Sequence, residues 1–182
     1  MTARRLSLAH ARATARWWRH LHSRRSTDRL PASALLVAAC FSHTAITGSD
    51  PEMLRLIRDL AAISWRSHDQ DHPGLGPGGD SAATESAISH EVLVTELDHH
   101  IRARLPHRRR RNARVHTEPL VSVIDRLISL TVTRAVLDHG AGARIREIDT
   151  ALTDLALSYD HLITELMTGR RREPRFAISH AI

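Results

Sequence analysis

The chain has 182 residues, 42% of them hydrophobic and 3% aromatic, which is enough for one well-buried domain and too little for two. Its 26 basic residues, all Arg, outnumber 20 acids and leave a net charge of +6 with the 14 His neutral; those His add positive charge below about pH 6.5. The one cysteine, Cys40, excludes an intramolecular disulfide and a multi-Cys zinc site, and fits a reducing compartment.

Residues 1–29 form a basic arm. Its first 27 residues hold seven Arg and no acid, without the uninterrupted apolar core of a secretory signal. Leu6, Ala13, Trp17 and Leu21 share one helical side flanked by Arg, the pattern of a helix that docks on its own bundle, on a second subunit or at a membrane surface. Trp17 and Trp18 favour docking on protein, where they bury large areas.

Residues 30–176 read as one helical domain, followed by a tail at 177–182. "PASALLVAACFSH" predicts a short apolar helix with Pro31 at its first position, ending near His43. Its apolar run, Ala34 to Phe41, is far shorter than the roughly 20 residues of a membrane span, so no transmembrane segment is expected and the chain is read as cytoplasmic. "SDPEMLRLIRDLAAISW" starts a second helix, with Ser49 or Asp50 as N-cap, Pro51 at the first position and Glu52 in the first turn.

"HPGLGPGGDSAAT" predicts a flexible loop over about 71–85. It follows no strand, so its glycines make no phosphate cradle. From Ser86, Ile88, Val92, Leu97, Ile101 and Leu105 fall near one side of a third helix, which Pro106 ends. An Arg-rich loop over 106–116 follows.

Thr117 is then the expected cap of a fourth helix running to Leu137, with Leu120, Val123, Leu127 and Leu130 on its apolar face. "DHGAGA" breaks it and is short enough to fold the last two helices into a hairpin. The last helix carries Ile145, Ile148, Leu152, Leu155, Tyr159, Leu162 and Leu166 in steps of three and four, and Gly169 as C-cap. The fold expected is all-α, an up-and-down antiparallel bundle with an additional basic N-terminal helix.

Glu118 and Asp125 lie seven residues apart and so on one face of the fourth helix, with Ser122 and Arg126 beside it. Carboxylates in an otherwise apolar segment need partners. Either Glu118 neutralises the helix start while Asp125 pairs with an Arg across the bundle, or the group serves a ligand or a reaction.

"HTEPLVSVIDRL", with the helices that follow and the ending "ELMTGRRREPRF", resembles the bacterial all-helical family catalogued as domain of unknown function 4254. Those proteins carry a Glu, a small or apolar stretch, then Ile-Asp-Arg/Lys-Leu. The resemblance covers about 30–176 and is specific in the segment quoted. Trp65, His68 and Asp69 resemble the family's Trp followed by His or acids on the first long helix; an apolar residue near Ala61 stands where the family has Asn. The resemblance implies no established activity and genes near sugar-transfer or natural-product enzymes.

Glu96 and His99 form an i, i+3 pair of the kind that di-metal bundles place on two helices, but only one such pair occurs here, so no metal and no cofactor is expected. Cys40 lies in an apolar run and reads as an inert small hydrophobe. Arg108, Arg109, Arg110, Arg111 and Arg114 offer phosphate contacts without an aromatic to stack on; a solvated loop is the simpler reading, with weak, nonspecific nucleic-acid binding the alternative.

The function expected is thus an accessory or interaction protein in a carbohydrate or secondary-metabolite pathway, with a protein partner or a second copy docking on helix faces. The rival is an enzyme or a binder of a small anionic ligand with a polar pocket between helices, using Glu118, Asp125, Arg126, His68 and Asp69.

Overall fold

The structure, a computed structural model, describes residues 30–41, 50–70, 79–106, 110–137 and 142–174. The basic arm at 1–29 and the tail at 177–182 lie outside the described residues, as do Arg108 and Arg109. Five helices dominate: α1 Ser33–Ala39, α2 Pro51–Gln70, α3 Gly79–Arg104, α4 Leu120–Val136 and α5 Gly142–Met167. A ladder of two short strands, β1 Arg114–Val115 and β2 Arg171–Arg172, joins the segment before α4 to the segment after α5.

The four long helices run up and down. The start of α2 meets the end of α3 through Asp50 and Arg104, and the end of α4 meets the start of α5 through Arg134 and Asp149. His68 near the end of α2 reaches Thr133 near the end of α4, so those two helices point the same way. The antiparallel bundle expected from helical periodicity is the one observed.

Helix α4 is the central element, packed against all four others. Leu120, Val121, Val123, Ile124, Leu127, Ile128 and Val132 are buried, a stripe wider than a single apolar seam because neighbours cover it on more than one side. On α5 the buried positions Ile148, Leu152, Tyr159, Leu162 and Leu166 keep the predicted three-four spacing. Gly169 follows at φ 68°, a left-handed conformation that Gly adopts without steric cost; the Arg170 N–H bonds back to the Glu165 carbonyl at 2.9 Å and closes the helix end.

Several boundaries differ from the sequence reading. Helix α1 starts at Ser33, because Pro31 is held outside it: its carbonyl accepts the Tyr159 hydroxyl at 3.0 Å. The Asp160 carboxylate takes both the Ser33 N–H and the Ser33 hydroxyl, each at 2.8 Å, and so caps α1 from α5. The loop expected over about 71–85 gives way to helix from Gly79; only the Pro-containing part up to residue 78 falls outside the described residues, and "GDSAAT" contains no proline to stop a helix. Ile88 and Val92 were expected on the core side of α3, yet they are 59% and 52% exposed. At 100° per residue they lie opposite Leu97, whose side of the helix faces the bundle.

Candidate functional site

Helix α4 begins at Leu120 rather than after a Thr117 cap. Its first N–H finds its acceptor far along the chain: the Glu173 carboxylate takes the Leu120 N–H at 3.0 and 3.3 Å, while the Ser122 N–H bonds the Pro119 carbonyl at 3.1 Å. Burial pushes the Glu173 carboxyl pKa up, and the Leu120 N–H bond opposes that rise. Glu118 therefore does not cap the helix. It lies just before the helix, and its Oε2 accepts from the Arg126 guanidinium at 2.7 Å, a pair open to solvent.

Asp125 pairs with a His rather than an Arg. The His90 ring Nε2 stands 2.9 Å from its Oδ1, with both side chains about a third exposed. This contact ties α3 to α4. The segment thus holds two separate pairs, Glu118 with Arg126 and Asp125 with His90.

His68 meets the Thr133 hydroxyl at 3.4 Å. Thr133 is eight residues beyond Asp125 on α4, about 12 Å along the axis at 1.5 Å per residue, so the bundle does not bring His68 and Asp125 to one point. Asp69 lies one residue beyond His68 in the last turn of α2. Trp65, one turn earlier, donates its indole N–H to the Cys40 carbonyl at 3.3 Å and meets Phe41 edge-on, so it fixes α1 against α2.

Glu96 is exposed and stands 4.0 Å from Arg55; His99 is exposed on the same outer part of α3. Among the described residues no three His, Cys, Asp or Glu side chains gather as a metal would require. Cys40 is buried, its thiol pointing at the Leu36 carbonyl at 3.4 Å, and burial pushes its pKa up to about 12. A thiol with that pKa supplies almost no thiolate near neutrality.

The most deeply buried charge is one the sequence offered only as a cap. Asp50 accepts the Met53 N–H at 3.2 Å, as predicted, but its side chain has no exposed area, and two residues of α3 also reach it. His100 Nε2 lies 2.9 and 3.0 Å from its two oxygens, and Arg104 Nε 2.6 Å from Oδ2. Arg104 also approaches His100 Nδ1 at 3.2 Å. A guanidinium can only donate, so Nδ1 is the acceptor and Nε2–H the donor toward Asp50. Two hydrogen-bonding partners, the Met53 N–H and His100, and the Arg104 cation meet one carboxylate from two helices, which fixes the α2–α3 junction. Chain separation hid this group, since His100 is 50 residues from Asp50.

From Arg110 to His116 the Arg-rich loop is tied to the segment after α5. The Arg110 N–H bonds the Gly169 carbonyl at 3.1 Å, Arg114 bonds Arg170 at 3.2 Å and His116 bonds Arg172 at 2.9 Å. Between them the parallel ladder sets Arg114 opposite Arg171 and Val115 opposite Arg172. Arg110, Arg111, Arg114 and Arg170 are exposed, and the Arg171 guanidinium sits against the Glu165 carboxylate.

No helix among the described residues is long and apolar enough to cross a membrane. No family model, curated protein or solved structure matches the chain.

Proposed function

We propose that this chain is a small helical accessory protein that acts by holding a protein partner rather than by turning over a substrate. The observation that carries this reading is the engagement of Asp125 by His90 at 2.9 Å: the carboxylate best placed to be a base serves as a clamp between α3 and α4. The neighbouring groups are spent in the same way, Glu118 on Arg126 and Asp50 on His100 and Arg104. The outer side of α3 supplies a face for contact, with Ile88 and Val92 one turn apart and the exposed acids Glu85, Glu91 and Glu96 around them. Those acids suit a partner that presents apolar side chains between basic ones. The setting in a carbohydrate or secondary-metabolite pathway rests on the resemblance of His116–Leu127.

A double-mutant cycle of Asp125→Asn and His90→Gln, followed by urea denaturation, tests the clamp. Both groups are partly open to solvent, so a coupling of about 0.5–1 kcal/mol is expected. If Asp125→Asn leaves stability unchanged or higher while abolishing the thermal shift produced by a small anionic metabolite, Asp125 serves a ligand and the accessory reading fails.

A further inference from the structure

Two Arg-rich stretches far apart in the chain meet at the β1–β2 ladder. Arg110, Arg111 and Arg114 come from the segment before α4; Arg170, Arg171 and Arg172 come from the segment after α5. Register partners share a side of a ladder, and adjacent strands lie about 4.8 Å apart, so Arg114 and Arg171 are like charges directly opposed. Such an arrangement is destabilising unless an anion offsets it.

Two acids lie close by, and both are committed. Glu165 pairs with Arg171, and Glu173 holds the Leu120 N–H. Among the described residues no carboxylate stands within ion-pair distance of Arg110, Arg111, Arg114, Arg170 or Arg172. The backbones that carry these five guanidinium groups are fixed by hydrogen bonds from Arg110, Arg114 and His116 to Gly169, Arg170 and Arg172. Tethered backbones lose less freedom on binding than a free Arg-rich loop does.

Arg172, opposite Val115 and half-buried, falls on the other side of the ladder from Arg114. We propose that the juxtaposition of Arg110, Arg111 and Arg114 with Arg170 at the β1–β2 ladder is a binding site for the phosphodiester backbone of nucleic acid. Guanidinium groups match phosphate oxygens bidentately, and several together give strong, salt-dependent attraction. Among the described residues neither segment has a Phe, Tyr or Trp for base stacking, and the His116 ring is engaged with the Glu118 carbonyl, so the site reads charge and not sequence. A membrane surface is the poorer occupant, because interfacial binding draws on a buried apolar face and the described residues of these segments expose one large apolar side chain, Val115. The site is independent of the role of Asp125.

The test is fluorescence anisotropy of the full chain with unrelated duplex DNA and single-stranded RNA oligomers. Kd should lie near the micromolar end of nonspecific binding at about 150 mM salt, should differ little between sequences, and should weaken steeply as salt rises. Replacing all four Arg by Ser should lower the magnitude of the log–log salt slope by about four and weaken binding more than tenfold at about 50 mM salt. Replacing all four by Lys keeps the charge and should keep most of the affinity. Circular dichroism reports whether each variant folds; if the Ser variant does not, Arg110→Ser with Arg111→Ser, which removes two exposed side chains, should reduce the slope by about two. Binding that survives the Ser substitutions overturns the proposal. So does tighter binding to phosphatidylcholine vesicles containing phosphatidylserine than to duplex DNA, and so does nanomolar preference for one sequence.

Discussion

Leu120 and Glu173 meet across 53 positions of the chain, the carboxylate of one holding the backbone N–H of the other at 3.0 Å. The central helix of the bundle therefore depends at its start on a side chain that follows the last helix. Glu173→Ala removes the cap and should cost about 0.5–2 kcal/mol, the usual range for a lost N-cap, as read by urea denaturation.

Acidity tests the same residue differently. Burial raises the Glu173 pKa above its ordinary 4.5. The folded state therefore binds this proton more readily than the unfolded state, so the contribution to stability is fully present below pH 4.5 and is lost as pH rises through the folded value. Glu173→Gln keeps an oxygen for the Leu120 N–H and removes the ionisation. The variant should be at least as stable as the parent at pH 7, and the parent should gain on it as the pH falls toward 4.5. A parent that instead loses ground to the Gln variant over that interval would contradict the buried-carboxylate account.

Asp50 has no exposed side-chain area and faces His100 and Arg104. Asp50→Asn keeps an oxygen for the Met53 N–H but strips the charge that both α3 side chains face. The loss should be about 3–5 kcal/mol, as for removal of one member of a buried ion pair, and larger than that from Asp125→Asn at its more exposed site. Parallel denaturation curves for the two variants decide the order.

Tyr159 is the only tyrosine, so its ultraviolet titration is unambiguous. Burial first, then the charges of Asp160 and Asp50, raise its pKa well above 10.0. The stability linked to its neutral form is complete below pH 10.0 and falls as pH rises through the folded value. Tyrosinate absorbance should therefore appear together with alkaline loss of helix, not before it. Tyr159→Phe leaves the Pro31 carbonyl without its donor and should cost about 1–3 kcal/mol.

Cys40 gives a chemical reporter, since burial pushes its pKa up to about 12. Alkylation at pH 8 should proceed at the rate of unfolding and accelerate in urea in step with the loss of helix. Rapid labelling of the native protein would show that α1 opens by itself.

Periodicity made the bundle legible: the three-four steps of α5, the Asp50-Pro51-Glu52 start of α2 and the Gly169 stop are local signals, and each appears where the residues put it. The partners of the polar groups were not legible, because they are set by packing. Nothing local to Thr117-Glu118 indicates that Glu173 caps α4, nor that Asp160 caps α1. His90 lies 35 positions from Asp125, so its pairing with that residue had no signal in spacing. Ile88 and Val92 misled because α3 has apolar residues on two sides, and only the contact with α2 and α4 decides which side turns inward. The strands were invisible for a related reason: two residues of Arg-rich chain carry no alternation to detect.

The ties from Arg110, Arg114, His116 and Leu120 all end on residues 169–173, and this order in the chain becomes an order in time during synthesis. At roughly 5–20 residues per second, the 53 positions between Leu120 and Glu173 take about 3–10 s to translate. Throughout that interval α4 has emerged without its cap, and the first cluster of arginines has no second cluster beside it. A ribosome that slows within α5 lengthens the interval before Glu173 can reach Leu120.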